Sequence, residues 1–408
     1  ATSDVFAALK PAPVVLGLPD NAGLADLAAL TRASALLDAE RGLVRFDTSP
    51  NSGPDWTVAR INIRATADGP VSDMTVATEN ALPELLVTGT DPQIGLAQLL
   101  SPWAGLAGEG RTVTSAANQP AVSGNRLPLA ALGGDLSSRA VKGSEDFTVN
   151  FSASDIPPGK VVSDLVVTAV SGLDPEGNGA TLSVALNEVL LGSRTLSAGE
   201  PQNLSFAVPA GLIGSENTLR FHVQRQPVAG ACRYTMQGYP AQILPGSALV
   251  LADGGGEAQE FYELRQAAGQ GVQLVIDRDL SLSSAELAPW LAGVAGSILP
   301  DRAPVVPRAD MAALQGDMPF IVVSDIDPAG SEADVRLSEG RIEIRDTAGE
   351  LLFDGDGLSR IGVVQMISVN GVAGLWLKPG KGPAPVWTEA TPLRLDRGNL
   401  ALLDERGL

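Results

Sequence analysis

The pattern of apolar and polar positions changes character twice along the 408-residue chain. Near both ends, short continuous apolar runs are followed by longer segments in which apolar residues recur at helical spacing. The runs are Val14–Leu18 and Val272–Ile276, and the helical segments that follow them are Leu24–Leu37 and Ala285–Leu299. Short buried strands that alternate with helices predict α/β units with largely parallel sheets.

A near repeat connects these two regions. Leu82–Pro92 aligns with Met318–Pro328, with proline, valine, aspartate and a second proline at matching positions. We expect Asp91 to cap a helix that begins at Pro92, because aspartate is favoured at the cap and proline at the first helical position. The repeat predicts two related α/β units, one on each side of a central segment.

The central segment has a different period. Thr181–Glu188, Asn203–Val208 and Asn217–Gln224 alternate apolar and polar residues, and groups of Gly, Asn and Pro separate these runs. Strict alternation between turn signals predicts an all-β sandwich or jelly roll, with no helix between positions 141 and 230. The predicted domains are therefore α/β over 1–125, all-β over 126–252, and α/β with added strands over 253–408. Residues 104–125, rich in Gly, Ser, Asn and Thr, are a predicted linker.

A family resemblance lies in the central segment. The segments that carry it are Asp164–Val170, Leu182–Asn187, Val208-Pro209, Asn217–Phe221 and Ile243–Leu251. Together they resemble the periplasmic regulatory subunit of bacterial cellulose synthase. The resemblance implies a jelly-roll, carbohydrate-binding-like domain over 126–252 between two flavodoxin-like domains over 1–125 and 253–408.

The same resemblance implies a function. The chain would be a non-catalytic periplasmic accessory subunit of a synthase for cellulose or a related exopolysaccharide. It would guide the emerging glucan and dock on a membrane glycosyltransferase. We expect tethering to the inner membrane only through a segment outside residues 1–408. The alternatives are a polysaccharide hydrolase or esterase with its site on the jelly roll, and an assembly protein without a carbohydrate site.

Charge and rare residues narrow the possible partners. With 28 basic and 47 acidic residues, the net charge is −19, which disfavours nucleic acid and anionic membrane surfaces as partners. Cys232 is the only cysteine, so an intrachain disulfide and a cysteine-based zinc site are excluded. His222 is the only histidine, and its strand position favours a solvated residue over a catalytic base.

Cofactor and metal chemistry find little support. A flavin phosphate needs a Ser, Thr or Gly loop after the first strand, whereas the loops here are Pro19–Gly23 and Asp277–Asp279. Carboxylates in those loops repel phosphate, so we expect no cofactor. Asp and Glu are abundant but form no catalytic constellation, so we also expect no catalytic residues. Asp174, Glu176 and Asn178 could hold calcium in one turn, but turn formation explains them better, and we expect no metal.

Sugar binding is the remaining site chemistry. Aromatic faces bind sugar rings while planar polar groups bind the hydroxyls, and aromatic residues make up only 4% of the chain. The candidate carbohydrate-binding residues cluster near the end of the jelly roll: Phe221, Arg233, Tyr234, Gln237 and Tyr239. The alternative is that these aromatics pack the end of the sandwich. Trp376 and Trp387 are better candidates for packing or a partner interface.

Overall fold

The fold is that of a computed structural model of the 408-residue chain. It describes residues 14–19, 21–41, 44–47, 59–79, 82–99, 111–114, 124–157, 159–173, 179–214, 216–225, 238–254, 258–300, 303–316, 318–326, 328, 335–338, 341–345, 350–355, 360–381, 395 and 398–403. The chain forms two compact units. An α/β unit combines residues 1–119 with 257–408, and a sandwich unit comprises residues 120–256. The two terminal regions, expected as separate domains, thus lie in one unit.

The first half of the α/β unit is a six-stranded mixed sheet with two helices. Its elements are β1 (Val14–Gly17), α1 (Leu24–Arg41), β2 (Val44–Asp47), β3 (Ala59–Ala65), β4 (Ser72–Glu79), β5 (Leu82–Gly89), α2 (Pro92–Leu99) and β6 (Arg111–Thr114). The strand order is β2-β1-β3-β5-β4-β6, and the last two strands run antiparallel. As predicted, α2 begins at Pro92, and Asp91 Oδ1 accepts from the Gln93 N–H at 3.2 Å. Strand β6 falls within the predicted linker over 104–125, so that part of the chain belongs to the sheet.

The sandwich unit is antiparallel in all of its strand pairs among the described residues. Its strands are β7 (Arg126–Pro128), β8 (Arg139–Val141), β9 (Ser144–Ser152), β10 (Lys160–Ser171), β11 (Ala180–Leu186), β12 (Val189–Leu196), β13 (Gln202–Ala207), β14 (Glu216–Arg225), β15 (Tyr239–Ile243) and β16 (Ala248–Asp253). One sheet has the order β7-β16-β10-β15-β8, with β13 also on β10, and the other has β12-β11-β14-β9. Between 141 and 230, the described residues contain only one helical turn, Ala153–Asp155.

Polar side chains close the turns of the sandwich. The Asn217 side chain is buried; its Oδ1 accepts from Asn187 Nδ2 at 2.9 Å and from the Gly214 N–H at 2.8 Å. Asn187 Oδ1 in turn accepts from the Thr218 N–H at 2.9 Å. These bonds satisfy groups that burial would otherwise leave unpaired. Both asparagines lie in the segments that carry the family resemblance, and both have a structural role here.

The second half of the α/β unit adds a small meander sheet. Its elements are α3 (Phe261–Ala267), β17 (Val272–Ile276), α4 (Ser284–Ile298), β18 (Val305–Arg308), β19 (Phe320–Val323), β20 (Val335–Ser338), β21 (Arg341–Arg345), β22 (Leu351–Gly355), β23 (Gly362–Val369), β24 (Val372–Lys378) and β25 (Leu400–Leu403). The main sheet has the order β18-β17-β19-β24-β23-β25, and β20-β21-β22 form the antiparallel meander. Helix α4 begins at Ser284 and contains Pro289.

The two halves share one topology. At each of the five strand pairings, the second sheet repeats the order and direction of the first. This correspondence equates β5 with β24 and β3 with β19. The sequence match between Leu82–Pro92 and Met318–Pro328 therefore joins strands that are not equivalent. Both strands are buried and lie between two neighbours, so a similar apolar run suits each of them.

The halves differ from the predicted flavodoxin-like domains. A flavodoxin-like sheet is parallel, with the order 2-1-3-4-5 and helices on both faces. Here only the 2-1-3 start is shared, because antiparallel strands occupy one side of each sheet. In the first half, α1 and α2 also contact each other and contribute to one hydrophobic cluster, so they cover the same face. The difference arises after β3, because the next strand, β4, passes over the position beside β3 and forms an antiparallel hairpin with β5, which then pairs with β3 in parallel.

One hydrophobic cluster runs through both halves. Helix α1 packs directly against α4, and every residue from Asp26 to Leu37 on α1 is buried. Alanines at positions 28, 29 and 33 of α1 and 288 and 295 of α4 allow close approach and are almost fully buried. Inside α1, the hydroxyls of Thr31 and Ser34 donate to the carbonyls of Leu27 and Leu30, so no hydroxyl of theirs is left unpaired. A helix that is buried all round explains why the two halves form one unit.

Candidate functional site

The predicted aromatic platform is only partly within the described residues. Phe221 is fully buried in the core of the sandwich, so its ring cannot face a sugar; this corrects the expectation for that residue. Tyr239 is half-buried on β15, and the Arg225 guanidinium lies 4.1 Å from the centroid of its ring. Arg233, Tyr234 and Gln237 lie outside the described residues. Among the described candidates, one is core and one is stacked under an arginine.

A different surface of the sandwich brings many polar side chains together. In the sheet β12-β11-β14-β9, alternate residues point into the core and the others point outward. Twelve of the outward residues, all polar, define what we call the polar sheet face: Ser144, Asp146, Thr148, Asn150, Thr181, Ser183, Ser193, Thr195, Thr218, Arg220, His222 and Gln224. The apolar Ala185 and Leu190 lie beside them in the row of Arg220. From the strand spacing and rise, this face measures about 14 Å across the strands and about 20 Å along them.

Cross-strand hydrogen bonds order the polar sheet face. His222 Nδ1 and Asp146 Oδ1 lie 2.7 Å apart between β14 and β9. In the same row, the hydroxyls of Ser183 and Ser193 lie 2.7 Å apart between β11 and β12. Farther along, Thr218 Oγ1 donates to Asn150 Oδ1 at 3.0 Å. The bonded pairs hold planar imidazole, carboxylate and amide groups in a fixed arrangement toward solvent.

The register places Arg220 and Gln224 on either side of His222. Arg220 pairs with Thr148 across β9, and Gln224 pairs with Ser144. Both long side chains are exposed, whereas His222 is partly exposed. Guanidinium, amide and hydroxyl groups at neighbouring positions supply donors and acceptors to a ligand rich in hydroxyls. Apart from His222, the described residues of this face include no aromatic ring.

Asp146 on this face and Glu216, one pair beyond its end, are too far apart for two-acid hydrolysis. Asp146 lies on β9, and Glu216 on β14 pairs with Ser152, six residues farther along β9. Six residues of strand correspond to about 20 Å, whereas paired glycosidase carboxylates lie about 5–10 Å apart. The separation of these two carboxylates therefore exceeds the spacing of a glycosidase pair.

At the starts of α1 and α4, carboxylates of the chain itself accept hydrogen bonds from backbone N–H groups. The N–H of Gly23 donates to Asp26 Oδ2 at 2.8 Å, and Asp26 Oδ1 accepts from the Ala65 N–H at 2.6 Å. At α4, the N–H and hydroxyl of Ser283 donate to Glu286 Oε2, which lowers the pKa of Glu286 below its usual value. Each helix start carries its own carboxylate, which disfavours a phosphate there.

The remaining candidates are placed as follows. Trp376 is fully buried, and its Nε1 donates to the Ser324 carbonyl at 3.2 Å, so it packs the core of the second half. Trp387, Cys232 and the turn with Asp174, Glu176 and Asn178 lie outside the described residues. Within the described ranges, no group of three or more His, Cys, Asp or Glu side chains could hold a metal ion. In the same ranges, no helix is both long and apolar enough to cross a membrane.

The polar sheet face has a signal in the sequence that only strand pairing makes visible. On β14, positions 216, 218, 220, 222 and 224 are all polar, and β9 shows the same alternation at 144, 146, 148 and 150. Each run by itself indicates a half-buried strand. The register of β14 with β9 and β11 brings the polar faces of the three strands onto one surface.

Comparisons with known proteins give partial likenesses. No family model and no curated protein matches the chain. Dimeric latent PorU from Porphyromonas gingivalis is 17% identical over 29% of this chain, with a TM-score of 0.20, and the chain spans only 11% of PorU. The CBM36-1 domain of a multidomain xylanase from the hindgut metagenome of Trinervitermes trinervoides is 10% identical, covering 32% of this chain and 97% of that domain, with a TM-score of 0.20. A family 35 carbohydrate binding module from an environmental isolate is 7% identical, covering 32% of this chain and 96% of that module, with a TM-score of 0.19. Scores this low carry no argument about function.

Proposed function

We propose that this chain is a non-catalytic accessory subunit that binds a polysaccharide through the polar sheet face of its sandwich unit. The single observation that carries the proposal is the ordered row of hydrogen-bonding groups from Ser193 through Ser183 and His222 to Asp146. A sugar chain presents hydroxyls along its length, and a pre-ordered row loses little entropy on binding them. No bond is made or broken in this function.

The biological setting is part of the same proposal. The resemblance of the central segment to the regulatory subunit of cellulose synthase supports a role beside a synthase for cellulose or a related exopolysaccharide. The chain would stand in the periplasm, at the inner membrane. A membrane glycosyltransferase would be its partner, and the emerging glucan would pass along the sandwich. The net charge of −19 favours an uncharged polymer over an anionic one.

Binding is tested by isothermal titration calorimetry of the full chain with cellohexaose and with a soluble mixed-linkage β-glucan. We expect saturable binding, weakened about tenfold or more by Arg220→Ala and by Gln224→Ala, because each removes a hydrogen-bonding group from the face. Arg126→Ala is the matched control, since Arg126 is exposed on β7 of the other sheet. The control should bind as the parent does.

The outcomes separate the three functions. Absence of binding at millimolar oligosaccharide would refute direct binding and leave the assembly protein as the better hypothesis. Release of new reducing ends, or of acetate from an acetylated glucan, would favour the hydrolase or esterase. Equal losses in the face variants and in Arg126→Ala would show that the binding surface lies elsewhere.

A further inference from the structure

A cleft in the α/β unit lies where the two halves present equivalent loops. Its volume is about 400 Å³, within the range of small-molecule sites. One wall is formed by the loop between β1 and α1 and the first turn of that helix, and the other by the loop between β17 and α4. Ser284 Oγ, at the start of α4, donates to the Ala22 carbonyl at 2.8 Å and joins the walls. In open α/β sheets, ligands bind beyond the carboxyl ends of the strands, and both loops lie there.

The walls of the cleft are apolar. Side chains that line it and are only partly buried pack on the core from both halves: Ala22, Leu24, Ile276, Leu280 and Leu282. Leu27 and Leu287, both almost fully buried, form its floor. Leucine surface that is left facing water in a concave site is the surface that an apolar ligand would cover.

The cleft has balanced charge. Its charged lining residues are Asp277, which is half-buried, and Arg278, which is exposed. Neither forms an ion pair with another described residue, and Asp277 Oδ1 accepts only the Asp279 N–H in that part of the chain, at 3.1 Å. The two helix starts that border the cleft are neutralised by Asp26 and Glu286, as described above. A charged ligand would find no net countercharge, whereas a neutral polar group finds both a donor and an acceptor.

We propose that this cleft binds a small uncharged amphiphile, with its apolar portion against the leucines and a hydroxyl or amide group between Asp277 and Arg278. The site is separate from the polar sheet face, and the proposal does not depend on polysaccharide binding. The duplicated topology creates the site, since one loop from each half is needed to close it.

The test uses three probes with the same eight-carbon chain: 1-octanol, octanoate and octylamine. Each is titrated into the full chain by calorimetry, 1-octanol below its solubility limit and the two charged probes below their micelle-forming concentrations. We expect one-to-one binding of 1-octanol, with a Kd at least about tenfold lower than that of either charged probe, because a charged head group would lose its hydration while it meets one like and one opposite charge, with no net attraction. Titration at several temperatures should give a negative heat-capacity change, the mark of apolar burial.

Two variants locate the binding. Ala309→Trp places a large ring at an exposed position on the cleft lining and should abolish 1-octanol binding by filling the space. Leu282→Ser removes apolar wall and should weaken binding about tenfold. Leu352→Ser is the control, because Leu352 is 66% exposed on β22 and does not line the cleft. If Ala309→Trp loses its native circular dichroism spectrum, Leu282→Ser decides.

Three results would overturn the proposal. The first is the absence of saturable 1-octanol binding. The second is octanoate or octylamine binding as tightly as 1-octanol, which would contradict the charge argument. The third is equal binding by the parent and by folded cleft variants, which would place the ligand elsewhere.

Discussion

A glutamine bridge between the two halves of the α/β unit allows a quantitative test of how they are held together. Gln93 on α2 belongs to the first half, and Val305 lies on β18, the edge strand of the second. Gln93 Nε2 donates to the Val305 carbonyl at 2.7 Å, and the Val305 N–H donates to Gln93 Oε1 at 2.9 Å. The side-chain amide thus pairs with the free side of the edge strand as a further strand would.

The expected cost of breaking this bridge follows from burial. Gln93 is 7% exposed and Val305 is 1% exposed, so water has little access to either partner. Gln93→Ala leaves one buried N–H and one buried carbonyl unpaired, and each such group costs about 1–3 kcal/mol. With partial relaxation, we expect a loss of about 2–4 kcal/mol in the free energy of unfolding. Gln93→Glu should cost at least as much at pH 7, because a carboxylate would face the Val305 carbonyl.

The assay can be confined to the α/β unit. All five tryptophans, at positions 56, 103, 290, 376 and 387, fall in the sequence ranges 1–119 and 257–408. Urea unfolding followed by tryptophan fluorescence therefore reports on this unit. We expect both Gln93 variants to lower the midpoint at an unchanged slope, with the exposed-residue control Leu352→Ala within about 0.5 kcal/mol of the parent. A Gln93→Ala variant as stable as that control would refute the bridging argument.

Three further predictions follow from local geometry. Gly374→Ala would place its Cβ 2.5 Å from the Phe320 ring in the core, and it should destabilise the α/β unit by about 1–3 kcal/mol in the same fluorescence assay. Burial lowers the pKa of Lys378, so between the lowered and the usual pKa the unfolded chain binds more protons than the folded chain, and the free energy of unfolding should rise with pH. Lys378→Met should raise the urea midpoint at pH 7 and flatten this dependence of stability on pH. A variant with the same pH profile as the parent would contradict the argument. Glu188 has a φ of 68° in a two-residue hairpin turn, a left-handed conformation that strains a residue with a side chain. Glu188→Gly should therefore stabilise the hairpin by about 0.5–1 kcal/mol and slow hydrogen exchange in β11 and β12. Faster exchange would contradict the strain argument.

The elements of this protein could be predicted where the local pattern was strong. The apolar run at Val14–Leu18 became β1, the helix after Asp91 began at Pro92, and the alternation in Asn217–Gln224 became β14. The sandwich over the central segment was predicted for the same reason, since strict alternation of apolar and polar residues is typical of half-buried strands. Strand β4 was not predicted, although Met74 on it is fully buried in the core.

The sequence could predict the type of candidate site but not the residues that form it. A polar face on the sandwich follows from alternation, but the residues chosen from sequence were the aromatics near Tyr239. Aromatic clustering in sequence does not distinguish a ring in the core, such as Phe221, from a ring on the surface. That distinction depends on which face of β14 meets the second sheet, which is a long-range property.

By itself, the amino-acid sequence determined the period of each segment, the aspartate cap before Pro92, and the charge that disfavours anionic partners. Only the tertiary structure decided that the two terminal regions join through α1 and α4, that β5 corresponds to β24, and that the loops before Leu24 and Ser284 close one cleft. The physical reason is that hydrophobic periodicity specifies which face of an element is buried, whereas the partner of that face is chosen by packing between residues more than 200 positions apart, such as Gln93 and Val305.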